Sequence, residues 1–253
     1  MPEQRSGMAG ATPAGAADER SAAEAVQRMF DEIAPRYDLL NHTLSLSIDR
    51  LWWRRTARTF AHVLQRPEAL IIDLCAGTGD MSAALRRAAI RERGLPRIVG
   101  IDFSHSMLTH GLEKFERCDV APVEADALRM PLPSGAADLV VSAFGFRNIA
   151  NYDQALREIH RVLKPGGEVG ILDFSEPRGA FGSLYRVYFQ RVLPRIGAWI
   201  SGVRSAYEYL PASVKRFPAP EVLVDRMQQL GFESVAWKPY SFGIAGLCRG
   251  IRT

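Results

Sequence analysis

Three carboxylates that each close an apolar run, together with one glycine turn, carry most of the chemistry legible in this 253-residue chain. The run Leu70-Ile-Ile-Asp-Leu delivers Asp73 and leads into Cys75-Ala-Gly77-Thr78-Gly79. There, two residues without a Cβ let backbone come close to a ligand. The run Ile98-Val-Gly-Ile101 ends in Asp102, 23 residues after Gly79, where a carboxylate can accept both hydroxyls of a ribose. Glu124-Ala-Asp126-Ala127 follows the next strand-like run, and Asp126 can accept from an adenine amino group. Ser82 occupies the third-glycine position of G-x-G-x-x-G, so the turn suits a ligand without a pyrophosphate and argues against a nicotinamide oxidoreductase. A ligand with a cationic end would favour such an acidic rim.

Those residues need strands to deliver them and helices to separate the strands. From Leu70 onward strand-like and helix-like runs alternate: Ile98–Ile101, Asp138–Phe144 and Glu168–Phe174 read as buried strands. Tyr152, Leu156, Ile159 and Leu163 share one helix face, which Lys164-Pro-Gly-Gly167 terminates. The alternation predicts an α/β fold, a doubly wound and mostly parallel sheet. Two runs near 233–239 and 244–250, joined by Tyr240-Ser-Phe-Gly243, predict a C-terminal hairpin that adds an antiparallel strand to the edge. Upstream, Ser21-Ala-Ala-Glu24 has capping-box spacing ahead of Val26, Met29, Phe30 and Ile33, a helix expected to stop at Pro35. A second helical region is expected from about Ser47 to Leu64. Residues 1–20, rich in Ala, Gly and Pro, read as a disordered tail without the apolar core of a secretory signal. The remainder, 21–253, reads as one domain: a helical lid over 21–66 and a ligand-binding core over 67–253.

Composition narrows the class. With 47% hydrophobic and 24% charged residues the chain is an ordinary globular one, and no apolar run approaches the ~18 residues of a membrane span. A net charge of +4 and a pI near 9.1 suit an anionic surface or acidic ligand but are too small a bias to imply nucleic acid. Cys75, Cys118 and Cys248 are scattered, which points to a reducing, cytoplasmic setting and against a zinc site.

The Asp-x-x-x-Gly-x-Gly spelling resembles the first motif of class I S-adenosylmethionine-dependent methyltransferases. Tyr37-Asp-Leu-Leu-Asn41, Ser45, Arg50 and Trp52 stand before it; Phe144-Gly-Phe-Arg-Asn148 and Arg161-Val-Leu-Lys-Pro-Gly-Gly167, running into Ile171-Leu-Asp-Phe-Ser-Glu-Pro177, stand after it. Together they resemble the menaquinone/ubiquinone biosynthesis C-methyltransferases over about residues 27–252. The resemblance implies methylation of a ring carbon in a polyprenylated quinol, with S-adenosylmethionine as cofactor. Demethylmenaquinol is the acceptor expected from the Leu-Leu-Asn-His and Ile-Asp-Arg spellings; the methoxy-benzoquinol of ubiquinone synthesis is the alternative. Carried over by position, the cofactor contacts are Thr78, Asp102, Asp126 and Ala127, with Gly77 and Gly79 forming the turn and Asp73 behind it. The chain departs from the family at Ala143, where a Ser is usual and a hydroxyl contact is lost. Asp49 replaces a common His, and Asp173 a Glu.

Carbon methylation needs an electron-rich ring, which a quinol supplies once a phenolic proton leaves. Arg147 is therefore expected to stabilise the quinolate oxygen, and Tyr37, Asn41 and Asp49 to position the ring or take its proton. Phe181, Leu184, Tyr185, Tyr188 and Val192 make an apolar stripe punctuated by Arg186 and Arg191, as in helices at a membrane surface. Peripheral contact at the inner face of the membrane is expected there. Two rivals remain open: a methyltransferase for another lipophilic acceptor, and a non-catalytic member of a quinone-biosynthesis assembly.

Overall fold

The computed structural model of the chain describes residues 10–11, 13, 16–37, 48–177 and 204–253. Its strands are β1 (Leu70–Leu74), β2 (Arg97–Asp102), β3 (Ala121–Glu124), β4 (Ala137–Ala143), β5 (Leu163–Phe174), β6 (Phe232–Tyr240) and β7 (Ala245–Arg252). They form one sheet in the order β3-β2-β1-β4-β5-β7-β6. All pairings among β1 to β5 are parallel, and β7 runs antiparallel to both of its neighbours. The hairpin thus places its antiparallel strand one position in from the edge, because β7 hydrogen-bonds to β5 on one side and β6 on the other. The segment expected to end a helix at Lys164–Gly167 lies inside β5 instead; the register with β4 jumps there from Ala137↔Leu163 to Leu139↔Glu168.

The helices are α1 (Glu19–Ile33), α2 (Ile48–Thr59), α3 (Ala61–Leu64), α4 (Asp80–Arg91), α5 (His105–Arg117), α6 (Tyr152–Val162), α7 (Arg204–Arg216) and α8 (Pro220–Gln229). Chain order β1-α4-β2-α5-β3 builds outward to one side, and β4-α6-β5 to the other. The reversal falls between the adjacent parallel strands β1 and β4, where α/β sheets open a ligand crevice. β1 is apolar on both faces because both are covered. Ile71 packs with Trp53, Phe60, Leu85 and Phe115, while Ile72 packs with Val140, Phe146, Leu156 and Ile159 on the other side.

Helix starts follow local chemistry. Ser104 and Asn151 cap α5 and α6, accepting from the N–H groups of Met107 (3.1 Å) and Gln154 (2.9 Å). In α1 the capping box sits three residues earlier than Ser21 suggested. Asp18 is the N-cap, accepting from the Ser21 N–H at 2.7 Å, and the Ser21 hydroxyl accepts the Asp18 N–H at 3.0 Å. The expected tail is corrected accordingly: Glu19 and Arg20 are helical, and Ala11 is buried, its N–H donating to the Ile149 carbonyl at 2.8 Å.

Asp138, at the start of β4, ties the sheet's opposite end. It accepts from the Leu70 N–H at 2.9 Å, Arg66 at 2.7 Å and Lys164 at 2.7 Å. Burial pushes its pKa up, but those hydrogen bonds and both cations outweigh it, so the carboxyl lies below its usual range. A lowered folded-state pKa stabilises above the unfolded value, and that contribution is lost as pH falls through the folded one. Asp138→Ala is expected to lose about 2–3 kcal/mol in urea unfolding at pH 7, leaving the Leu70 N–H unpaired. The gap from the parent should narrow below about pH 4.

Candidate active site

At the β1/β4 reversal a cavity, partly open to solvent, lies across the carboxyl ends of the strands, where α/β sheets bind their ligands. Leu74 and Cys75 close β1 against it, Ile101 and Asp102 close β2, Asp126 and Ala127 follow β3, and Ala143 and Phe144 end β4. Two backbone features make it this narrow. Gly77 turns at φ +55°, a conformation that L side chains rarely adopt, and sits between Met107 and the Tyr37 ring. Gly145 comes so close to Cys75 that a Cβ there would overlap the Cys75 side chain. Cys75 and Phe144 themselves hold φ of +58° and +59°. Non-glycine residues in that region are strained, and such strain clusters at binding sites.

Asp102 is buried and doubly held: Gly77 N–H donates to one carboxylate oxygen at 2.8 Å and Ser104 N–H to the other at 2.9 Å. Burial raises its pKa to about 6 against those backbone donors. Each oxygen keeps a lone pair for a ribose hydroxyl. Asp126 is exposed at the rim, with one oxygen accepting from the Leu128 N–H at 2.9 Å. Between these carboxylates the wall is apolar (Ile101, Phe103, Met107, Ala127, Leu128), as a flat purine needs. Asn148 also reaches the wall, with a buried side-chain oxygen that has no protein donor.

The sequence-derived cofactor set divides in two. Gly77, Asp102, Asp126, Ala127 and Ala143 line the cavity, whereas Asp73, Thr78 and Gly79 lie behind it. Asp73 is fully buried, accepting the Ser82 hydroxyl at 2.5 Å, and its other oxygen has no partner. Burial lifts it to about 7. Gly79 serves as the N-cap of α4, and Thr78 is buried beside Lys114.

α1 was readable as a helix but not as a wall. Ala23 and Phe30 face the cavity, and Tyr37, just beyond the helix, packs edge-on to Phe30 at 6.1 Å. Gln27 donates to the Phe103 carbonyl at 2.8 Å, and Ser104 donates its hydroxyl to Asp31 at 2.6 Å. No local spacing links residues 27 and 31 to 103 and 104; only the folded chain brings them together. Cys75 also lines the cavity, and burial pushes its thiol pKa well up, so it stays protonated.

The expected catalytic residues are placed unevenly. Tyr37 stands over the glycine turn, on the cofactor side. Asn41 and the stripe at 181–193 lie outside the described residues. Asp49 is buried in the first turn of α2 and does not line the cavity. Arg147 does not line it either. Its guanidinium donates to Asp173 at 2.9 Å and to the Phe144 carbonyl, and lies 5.2 Å from the Phe174 ring centroid. The Arg147 N–H also reaches Asp173, at 3.1 Å. Arg147 thus fixes the Phe144–Gly145 loop, and the expected direct contact with a substrate oxygen is not what this geometry shows. Beyond Phe144 the site continues as an aromatic cluster: Phe144–Phe174 centroids are 4.6 Å apart, and Trp52 lies 5.7 Å from Phe144 and 6.1 Å from Phe174.

Comparison with known proteins agrees with this site. The model of the ubiE/COQ5 methyltransferase family matches residues 17–252. A demethylmenaquinone methyltransferase of Thermus thermophilus is 49% identical over 88% of this chain and 100% of its own length. A ubiquinone/menaquinone biosynthesis C-methyltransferase of Caulobacter is 38% identical over 92% and 94% respectively. Among solved structures, a SAM-dependent methyltransferase from Thermotoga maritima superposes with a TM-score of 0.61 at 18% identity, covering 90% of this chain and all of that one.

Two outcomes are expected. Asp102→Asn should weaken S-adenosylmethionine binding by about 10- to 100-fold in calorimetry, the worth of a hydrogen bond to a charged acceptor. In the parent, affinity should fall as pH drops through about 6, because the ionised carboxylate is the form that binds; the variant should lack that step. Arg147→Leu should cost about 3–5 kcal/mol in denaturant unfolding by stranding Asp173, with much of it recovered in the Arg147→Leu/Asp173→Leu double variant.

Proposed function

The chain belongs to the ubiE/COQ5 methyltransferase family, and on that footing we propose that it transfers a methyl group from S-adenosylmethionine to a ring carbon of demethylmenaquinol, completing menaquinol. The observation that carries the reading is the cavity at the β1/β4 reversal. Its Asp102, Asp126 and apolar walls fit a nucleoside, and it abuts an aromatic cluster able to stack a flat ring. The demethylmenaquinone relative at 49% identity favours the naphthoquinol acceptor. The second reading, the ubiquinone-pathway benzoquinol, is favoured by the dual name of the Caulobacter relative.

When bound, S-adenosylmethionine supplies an electrophilic methyl on a sulfonium. Asp102 holds the ribose hydroxyls and Asp126 the adenine amino group, while Leu74, Ile101, Met107 and Leu128 pack the base. The lid over residues 21–66, to which α1 contributes the cavity wall, closes on the 67–253 core and keeps water out of the transfer zone. Arg147 acts as a positioning residue: by clamping the Phe144 carbonyl and Asp173 it sets the wall between cofactor and acceptor. The acceptor ring lies against Phe144, Phe174 and Trp52. Asp49, three residues before Trp52 and so on the same side of α2, takes the phenolic proton, leaving negative charge on the adjacent ring carbon. Asn41 and Tyr37 orient the ring and the lid. The acceptor's tail and the stripe at 181–193 bring the protein to the membrane surface.

The test is methyl transfer from labelled S-adenosylmethionine to short-chain demethylmenaquinol and to the corresponding benzoquinol, each reduced and oxidised. Transfer to the reduced naphthoquinol alone is expected, and preference for the benzoquinol would select the second reading. Asp49→Asn should lower turnover by about 10²–10⁴-fold with S-adenosylmethionine affinity kept. Turnover within a few-fold of the parent would remove Asp49 from the chemistry.

A further inference from the structure

Away from the cavity, α2 and α4 pack side by side through Trp53, Ala57, Ala84 and Ala88 and leave a groove along their outer edge. Arg50, Arg54 and Arg58 recur every fourth residue of α2, and Arg87 and Arg91 do so on α4. All five are exposed. Beside them Lys114 pairs with Asp80 and Arg117 with Glu113, which leaves Glu92 as the remaining carboxylate of the groove lining against the five arginines. Five arginines outside the groove, Arg66, Arg86, Arg147, Arg161 and Arg226, each form an ion pair, and others such as Arg97 and Arg129 stand singly rather than in rows. Among the described residues the five in the groove form none. Like charges four apart on a helix repel and weaken it, and nothing within the described fold offsets that repulsion. An anionic surface outside the protein would.

Apolar side chains flank the arginines. Ile48 and Leu51, on the exposed side of α2, are 40% and 51% accessible. The β6–β7 turn is fastened to the same helix, where Trp52 donates its indole N–H to Ser241 at 2.9 Å and the Arg55 guanidinium lies 4.5 Å from the Tyr240 ring centroid. At its tip Phe242 is 87% exposed and held at φ +59°, a region that bulky residues avoid. The fold therefore sustains backbone strain at a residue that presents an aromatic ring outward.

We infer that this face, the outer side of α2 with Arg87, Arg91 and Phe242, docks on an anionic phospholipid bilayer. The arginines meet lipid phosphates, and Ile48, Leu51 and Phe242 enter the headgroup layer, the pairing of a cationic face with apolar anchors that interfacial helices use. A nucleic acid backbone would satisfy the arginines but offers no apolar layer for those three side chains. The inner side of α2 carries Trp52 into the aromatic cluster, so one helix faces the acceptor site inward and the bilayer outward. The inference rests on the quinol reading for why the protein goes to a bilayer, and on charge and exposure for where it touches one.

The experiment is co-sedimentation of the full chain with vesicles of phosphatidylcholine alone and with 30% phosphatidylglycerol, at low and high salt, beside fluorescence anisotropy with duplex DNA. Binding to the anionic vesicles only, lost in high salt, is expected. Arg54→Gln/Arg58→Gln/Arg87→Gln/Arg91→Gln should reduce it at least about 100-fold, at roughly fivefold per arginine near an anionic surface. Phe242→Ser should reduce it by about tenfold. The quadruple variant should melt no lower than the parent, with that repulsion removed, and both variants should keep its S-adenosylmethionine affinity. Failure of the parent to bind anionic vesicles, equal binding by the quadruple variant, or tighter binding to DNA than to vesicles would each overturn the inference. Vesicle binding with no methyl transfer to either quinol in detergent would leave the docking face standing and remove only the quinol reading.

Discussion

The carboxylate of Asp102 is the constraint on which the site depends. It accepts one N–H from the glycine turn after β1 and one from the start of α5, so the ends of two neighbouring strands are fixed relative to each other through a single buried group. Ser104, whose N–H it accepts, passes the connection on through its hydroxyl to Asp31 in α1. Glycine turn, second strand and α1 therefore share one hydrogen-bonded node. Burying that charge is unfavourable, and its raised pKa records as much. The backbone donors offset part of the penalty, and ligand hydroxyls would add to them.

The other wall is built around a second buried charge pair. Arg147 and Asp173 are each under 10% exposed and pair with one another, while the guanidinium also holds the carbonyl of Phe144, a residue in the left-handed conformation. A salt bridge so placed contributes little net stability compared with apolar packing but fixes geometry, because either partner alone would be stranded. Here the geometry it fixes is the approach of Gly145 to Cys75, the contact that closes β4 against β1. Asp173 accepts from both the Arg147 N–H and its guanidinium, which locks the loop to β5.

α2 links the two halves of the proposed function. Its inward residues Trp52 and Thr56 pack toward the aromatic cluster and Tyr240, and its outward residues are Ile48, Leu51 and a row of arginines. A helix patterned this way places the aromatic cluster and a charged exterior within one helix diameter, about 10 Å. Under the proposed function and docking face, that is the separation a lipid-borne ring would cover between the headgroup layer and the methyl donor.

The sequence by itself determined the strand order's ingredients, the ligand edge and the reaction family. Period, glycine turns and strand-terminal carboxylates are local features, so Asp102, Asp126, Gly77 and the β1 run were legible without a structure. Alternation of strands and helices also sufficed to specify a doubly wound sheet, since right-handed crossovers leave few other arrangements. What only the tertiary structure decided was which side of each residue faces the ligand. Asp73 and Arg147 stand in the most recognisable motifs, yet one lies beneath the turn and the other behind the loop, because strand pleat and buried partners set a side chain's direction and spacing does not. Likewise Ala23, Phe30 and Asp31 carry no signature of a binding wall; they acquire that role only when α1 folds across strand ends some seventy residues downstream, a long-range contact that no local pattern encodes.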